Sequence, residues 1–401
     1  MSRFRVKSAW IAALSLAIMG SAGAADEPFR IGVIDDMSGT YSGNGGPGTV
    51  LATTMAVEDF GGSVLGRKIE VIQADHQGKP DIGSTQARQF IDTRGVKVIL
   101  PGGSSSVGLA VQAIARERGI TTLVSGGYAP NFSGDQCSPY GTQWAPSTAE
   151  LARSVARGVV ETGGNRWFFI VADYVFGQTL ASDAGKAVKA AGGQVLGEVK
   201  HPLNSVDLSS PLLAAESSGA NVIGVANAGP DLVNTVKQSK EFGVKAKLAT
   251  MLVFENNVTA LGLDAAQGLR LAANFYWDLN PETRAWSKRF MERNGGKVPT
   301  MGHALAYVAT THYLKAVAAA KTDDPTIIAT TMRAMPITGN IIQNPKIQAN
   351  GRVVSDMHVF EVKSPAESRG PADMYKLLAT LPSDGLFIPA AESGCRHLIG
   401  Q

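Results

Sequence analysis

The chain has 401 residues, 44% of them hydrophobic and 18% charged, with 45 Gly, 19 Pro and two Cys. That composition excludes a disordered acidic tail and a disulfide-dense miniprotein, and it is large enough for two compact lobes. The formal charge of +3 belongs to Arg3, Arg5 and Lys7, since setting them aside leaves 34 basic against 34 acidic side chains; a remainder without net charge has no global footprint for nucleic acid or an anionic membrane surface, and points to a small molecule or another protein as partner.

Residues 1–25 read as an export signal. Arg3, Arg5 and Lys7 form a positive start, Ala9 to Met19 an apolar stretch of eleven residues, and Ser21 to Ala25 the small residues that a signal peptidase needs, with cleavage after Ala24 or Ala25. At about 1.5 Å per residue that stretch falls far short of a hydrocarbon core about 30 Å thick, which argues against a membrane anchor. No later segment is apolar and long enough to span, and no Cys stands near the cleavage region to carry a lipid. The expected location is therefore the periplasm, as a free protein. Cys137 and Cys395 mature in an oxidising compartment. Two thiols allow one bridge, tying the carboxy-terminal tail to the chain near residue 137, with two free buried thiols as the alternative.

Strands and helices then alternate. Phe29 to Ile34 is a β-rich run, followed by a Gly-rich loop and helical spacing from Val50 to Phe60. Lys68–Ala74, Val96–Leu100 and Thr121–Val124 are the next strands, with helices over Asp81–Thr93 and Val107–Arg118 between them. After the loop Gly126–Pro146 the pattern restarts. Helices are expected over 149–162, 178–191, 209–217 and 231–242, and strands over 167–172, 194–200, 221–225 and 246–250. Helices at 281–293 and 300–319, a strand at 358–363 and an irregular tail complete the chain. Strands flanked by helices imply parallel sheets covered on both faces, so the fold class is α/β with two doubly wound parallel-sheet lobes.

In such sheets a ligand sits beyond the carboxyl ends of the strands, so the loops after residues 34, 100, 124, 172 and 225 carry the chemistry. After residue 34, Gly43, Gly45 and Gly48 match G-x-G-x-x-G, but the first glycine lies well beyond the strand end, where a dinucleotide fingerprint would turn the chain at once. No cofactor is expected; Tyr41 and Asp36 are read as facing the cleft. After residue 100 come Gly102, Gly103, Ser104, Ser105 and Ser106, opening a helix. Unpaired N–H groups of a first helical turn, glycines that allow close approach and three hydroxyls together suit a ligand carboxylate. The loop Gly127-Tyr128-Ala129 lies beside it. The other lobe contributes Tyr174, Phe176, Asn227, Phe254, Glu255 and Trp277, with aromatic rings able to close over an apolar or aromatic ligand body.

Catalytic constellations are missing from the sequence. The six histidines show no metal-ligand spacing, H-E-x-x-H is absent, and the serines around 104–106 lie in neither G-x-S-x-G nor S-x-x-K. Asp35 and Asp36 are adjacent, which points their side chains apart in extended chain. No metal and no enzymatic activity are expected.

The Ser38-Gly39 loop with Tyr41, the Gly103-Ser-Ser-Ser106 helix start, Ala172-Asp-Tyr-Val-Phe-Gly-Gln178 and Ala228-Gly-Pro230 together resemble the branched-chain amino-acid-type substrate-binding proteins of ABC transporters, over essentially the whole chain after the signal. The resemblance implies a type I periplasmic binding protein. Its two lobes are joined by three hinge crossings, expected near Thr142–Ser147, Leu271–Asp278 and Ile341–Val354. That gives a first lobe of 26–145 with 276–345, a second of 146–275 with 346–375, and an irregular tail of 376–401. It also implies a monomer that traps its ligand between the lobes and presents it to an inner-membrane permease. By the resemblance, Ser104 to Ser106 and Gly127 to Ala129 fall where the family holds a ligand carboxylate, and Phe176 at an aromatic wall position. The family's amino-acid binders show a threonine in the loop matching Gly127–Ala129 and a second-lobe acid for the ligand ammonium; here Ala129 replaces the threonine and Glu255 stands in the acid's neighbourhood. Related chains take up aromatic acids, amides or other small carboxylates. An extracellular ligand sensor on the same fold and an exported hydrolase are the alternatives.

Overall fold

The computed structural model describes residues 27–398 beside the isolated Met1, so the expected export signal lies outside the described residues. The first half of the chain runs β1 (Phe29–Asp35), α1 (Pro47–Phe60), β2 (Ser63–Val64), β3 (Arg67–Asp75), α2 (Pro80–Asp92), β4 (Val96–Pro101), α3 (Ser105–Glu117), β5 (Thr121–Val124) and β6 (Gly141–Gln143). These strands form one sheet in the order β2-β3-β1-β4-β5-β6, parallel except at the short β2 edge. Strands β1 and β4 read as almost unbroken apolar runs because helices cover both faces of the sheet. Helix α1 shows how local sequence sets its limits: Pro47 occupies the first turn, and Gly61 closes the last with φ +104°.

A second sheet follows from α4 (Thr148–Glu161), β7 (Arg166–Ala172), α5 (Val175–Ala190), β8 (Gln194–His201), α6 (Ser209–Ser217), β9 (Val222–Ala226), α7 (Pro230–Glu241) and β10 (Lys247–Thr250). Its order is β10-β9-β7-β8, all parallel. Two short helices, α8 (Glu255–Leu261) and α9 (Leu263–Ala266), lead to β11 (Arg270–Ala273). Helices α10 (Pro281–Arg293), α11 (Met301–Ala320) and α12 (Pro325–Ala334) return to the first lobe. There α11 packs along α1, and Arg289 and Arg293 reach Asp59 and Glu58 at 2.6 and 2.5 Å. The chain ends through β12 (Lys346–Ile347), β13 (Val353–Val354), β14 (Met357–Val362) and β15 (Tyr375–Leu381). Strands β11, β14 and β15 form an antiparallel annex beside the second sheet.

The chain thus passes between the lobes three times, after β6, after β11 and after β13. The first and third passages are tied together. Gln143 N–H donates to Gly351 O at 2.8 Å, Arg352 Nη1 to Ala145 O at 2.9 Å, and the buried Arg352 guanidinium lies 3.4 Å from the equally buried Glu150.

Two expectations about the end of the chain are corrected. Residues 346–354, expected with the second lobe, sit against the first: Asn350 Nδ2 donates to Ser133 O at 2.9 Å, and residues 351 and 352 hold β6. Residues 376–381, expected in an irregular tail, pair with β14. Their side chains are mostly exposed, so the strand is held by main-chain hydrogen bonds and leaves no apolar alternation in the sequence. Beyond it, Cys395 bonds to Cys137 with a Cα separation of 5.6 Å. Because Arg153 of α4 holds Leu386 O at 2.7 Å, the tail runs from the second lobe to the first as a further strap.

Candidate ligand-binding site

The strand order reverses at β1, between β3 and β4, and again at β7, between β8 and β9. Those are the places where the loops leaving neighbouring strands diverge and open a crevice. The two crevices face each other, and between them lies a cavity lined by residues of both lobes, the place where folds of this kind hold small molecules.

Its first-lobe floor is built by the ends of β1, β4 and β5. Asp35, Gly103, Ser105, Ser125 and Gly126 line it, with Gly302 from the start of α11. Ser105 lines the cavity, and its Oγ accepts from the N–H groups of Tyr128 and Ala129, both at 3.2 Å. That pins the Gly127–Ala129 loop against the start of α3. The N–H groups of the first α3 turn have no partner within the helix, and Gly103 stands beside them in the lining of this end of the cavity.

Aromatic rings make the walls. Tyr41 comes from the loop after β1, held there because Asp36 accepts from the N–H groups of Gly39 and Tyr41, each at 2.8 Å. Asp36 therefore turns into the loop, and its expected place at the cleft is taken by Asp35. Tyr174 caps α5, Phe176 lies in the first turn of α5, and Phe254 caps α8. The Tyr41 and Tyr174 hydroxyls meet at 2.5 Å across the lobes. Tyr128 stands edge-on to Phe176 and Phe254, at centroid distances of 6.2 and 6.1 Å. Asn44 and Asn256 also join across the cleft, at 2.8 Å. The lobes are closed on each other. Burial pushes the Tyr41, Tyr128 and Tyr174 hydroxyls up from their ordinary range, so they act as neutral hydrogen-bonding groups.

Of the residues singled out in the sequence, Tyr41, Ser105, Tyr128, Tyr174, Phe176 and Phe254 line this cavity. The others do not. Ser104 caps α3 from a buried position, Ser106 is half-buried on the first turn, and Gly127 packs on Phe132. Ala129 belongs to a small apolar cluster with Leu109, Val124 and Phe132. Asn227 Nδ2 is engaged with His201 Nε2 and Thr235 Oγ1, at 3.1 and 3.0 Å, and its neighbour Ala228 lines the cavity instead. Trp277 Nε1 donates to Ala372 O at 2.8 Å. Glu255 lines a separate hollow with Asn256 and Thr259, where burial pushes its carboxyl up to about 8. Asp35, Asn44 and Thr49 line the cavity without having been expected to. The strand-end position of Asp35 was the available signal; the approach of Gly302 had none, because α11 arrives from far along the chain.

Among the described residues no group of three or more His, Cys, Asp or Glu is placed to hold a metal ion, and no helix is long and apolar enough to cross a membrane. His303 is structural: Nδ1 accepts from Thr300 N–H and Nε2 faces Gly45 O, both at 3.0 Å, while burial lowers its pKa to about 4.

Comparison with known proteins agrees with this geometry. The profile of a periplasmic binding protein family matches residues 28–370. A Leu/Ile/Val-binding protein homolog of Brucella abortus is 26% identical over 313 residues, covering 75% of this chain and 73% of its own. The crystal structure of a periplasmic binding protein from Burkholderia mallei superposes with a TM-score of 0.90 at 41% identity, over 92% of this chain and 99% of that one. A branched chain amino acid ABC transporter periplasmic ligand-binding protein from Burkholderia xenovorans gives 0.83 at 31% identity, with the same coverages. The chain belongs to the periplasmic binding protein family, with the type I fold, and is a substrate-binding protein of an ABC transporter that binds a small molecule and is not an enzyme.

Proposed function

We propose that this protein captures a small carboxylate-bearing ligand, an amino acid, aromatic acid or amide, by closure of its two lobes, and delivers it to an inner-membrane permease. The observation that supports this reading is the cavity itself. A helix start with unpaired N–H groups and the Ser105 hydroxyl stand on one side, and Tyr174, Phe176 and Phe254 of the other lobe stand opposite. The open form offers the first-lobe floor alone. Second-lobe rings touch the ligand after closure, so the ligand favours the closed state by that difference in contact. Moving a population from 1:99 to 99:1 needs about 5.5 kcal/mol, within reach of a few charge-assisted hydrogen bonds and one or two buried rings.

The same reading includes removal of residues 1–25 on export to the periplasm, action as a monomer, and lobes of 26–145 with 276–354 and of 146–275 with β14 and β15. The branched-chain amino acid transporter protein of Burkholderia xenovorans, at 31% identity, supports an amino acid or a related acid as cargo.

Thermal unfolding of the purified protein with branched-chain amino acids, aromatic carboxylates, short amides and polyols tests the ligand class. A ligand at 100 times its Kd that binds the folded state alone adds about 2.7 kcal/mol, enough to move the melting temperature visibly. Shifts with carboxylates and none with polyols are expected; a shift confined to polyols overturns the reading. Delivery is tested by uptake into vesicles carrying the permease, which should require the ligand-loaded protein.

A further inference from the structure

A single loop of the first lobe meets the chain beyond every strand of the second sheet. From residues 37–46, between β1 and α1, the Thr40 hydroxyl donates to Asn204 Oδ1, after β8, at 2.5 Å, and the Tyr41 hydroxyl meets that of Tyr174, after β7, at 2.5 Å. Asn44 Oδ1 accepts from Asn256 Nδ2 of α8, after β10, at 2.8 Å. After β9, Gly229 lies so near that a Cβ there would stand 3.2 Å from the Tyr41 ring and 3.4 Å from Thr40 O, and its φ of +60° also favours glycine. Among the described residues, these three are the side-chain hydrogen bonds that cross the cleft away from the three passages.

The loop is fixed to its own lobe. Asp36 is fully buried, and its two oxygens accept from different N–H groups, Oδ1 from Gly39 and Oδ2 from Tyr41, each at 2.8 Å. A Cβ on Gly39 would run into that carboxylate, so glycine lets the turn close on it. Asp75 accepts from the Met37 N–H and the Ser38 hydroxyl at 3.2 and 2.6 Å. At the far end the Thr300 hydroxyl donates to Asn44 O at 2.7 Å. His303 Nδ1 accepts from Thr300 N–H, which leaves Nε2 to donate to Gly45 O at 3.0 Å. Every one of these anchors belongs to the first lobe, so the loop holds its shape before the lobes meet, and closing costs little ordering of chain.

We infer that residues 37–46 form a preformed clasp for lobe closure and that Asp36, from outside the ligand cavity, is the positioning residue that aims it, so that contacts which never touch the ligand set how long it is held. This goes beyond the choice of ligand and rests on the proposed closure. The cavity lining includes Tyr41, Asn44 and Tyr174 but not Asp36, Thr40, Asn204 or Asn256. Those four act on the closed state as such and equally for every ligand. Their effect falls on release and not on association, because the cross-lobe bonds form after a ligand has met the open first-lobe floor.

The test is stopped-flow association and release of leucine, isoleucine, phenylalanine and benzoate by the purified protein, with pulsed electron spin resonance distances between labels on Arg88→Cys in α2 and Lys237→Cys in α7. Asn204→Gly with Asn256→Ala removes two of the three bonds while keeping the left-handed backbone of residue 204, whose φ is +65°. Release should quicken about 5- to 100-fold, by a factor that agrees within about twofold for every probe that binds, with association unchanged. Asp36→Asn leaves one acceptor oxygen where the loop uses two and should also quicken release about 5- to 100-fold. Combined with the second-lobe pair it should fall well short of the product of the two factors, because both break the same contacts. Factors that multiply, factors that differ more than about tenfold between probes, or unchanged release in the second-lobe pair overturn the inference and leave the ligand class intact. If Asp36→Asn does not fold, its positioning role falls, and Thr40→Val against Asn204→Gly decides the clasp by the same comparison. If none of the four probes binds, the proposed ligand class fails and the label distances of the free protein decide the clasp: the second-lobe pair should lose population at the shorter, closed distance, and distributions equal to the wild type overturn it.

Discussion

Replacing Glu255 by Gln should change how stability depends on pH, and the size of the change follows from where the side chain sits. Glu255 is 5% exposed at the start of α8, and its burial next to the Tyr128, Tyr276 and Tyr375 rings raises its pKa from 4.5 to about 8. The folded state thus holds a proton that the unfolded chain releases at lower pH. The stability this confers is complete below the unfolded value of 4.5 and disappears as pH rises through about 8. At about 1.4 kcal/mol per pKa unit, the shift is worth about 5 kcal/mol in all, lost at about 1.4 kcal/mol per pH unit between about pH 5 and pH 8. The glutamine stays neutral throughout. Urea unfolding of both proteins at unit steps from about pH 5 to pH 9 reads the difference directly, because Asp35 and the remaining groups contribute equally to both and cancel. Wild type minus variant should fall by about 4 kcal/mol over the first three steps and flatten above about pH 8. Two curves that stay parallel from about pH 5 to pH 8 would refute the reasoning, since Glu255 would then be ionised in the folded protein.

Three further predictions concern the cavity and its strap. Ser105→Ala removes the acceptor of the Tyr128 and Ala129 N–H groups and should weaken ligand binding by about 1–3 kcal/mol, or about 5- to 150-fold in Kd; Ser106→Ala, off the cavity, should leave titration unchanged. Tyr174→Phe removes the hydroxyl contact that joins the lobes. About 1 kcal/mol of closed-state stability should go with it, seen as a fivefold faster ligand release in stopped flow with an unchanged association rate. Reducing the Cys137–Cys395 bridge, which spans 258 residues of sequence, should lower stability by about 2–5 kcal/mol in calorimetry. It should also widen the open form seen by small-angle scattering, because the strap from α4 to residue 137 is then cut; an unchanged open form after complete reduction would show that the tail does not limit opening.

Much of the architecture was legible along the chain. Strands such as Val96–Pro101 and Arg166–Ala172 read as apolar runs because they are covered on both faces, and the helices between them show 3.6-residue spacing, so local sequence and tertiary burial ask for the same residues there. Where the two part, the sequence is silent. Strand β15 is held by backbone hydrogen bonds with its side chains in solvent, so nothing in Lys376–Leu381 marks it. Residues 346–354 join the first lobe through backbone and side-chain hydrogen bonds to residues 133, 143 and 145, which periodicity does not encode.

The site divides in the same way. By itself the sequence determined which loops face the cleft, that aromatic rings wall it, and that Ser105 opens the helix at its floor, because each of these depends on position next to a strand end. The tertiary structure decided which of two adjacent residues faces the ligand space. Asp35 and Asp36 are chemically identical and neighbours, but β1 alternation and the turn that Asp36 ties to Gly39 and Tyr41 send the second into the loop and the first into the cavity. It likewise moved Asn227 and Glu255 out of the site, since a side chain's surroundings are set by whatever element packs over it from elsewhere in the chain. Partners for a buried polar group come from distant residues, and that is information a single stretch of sequence does not hold.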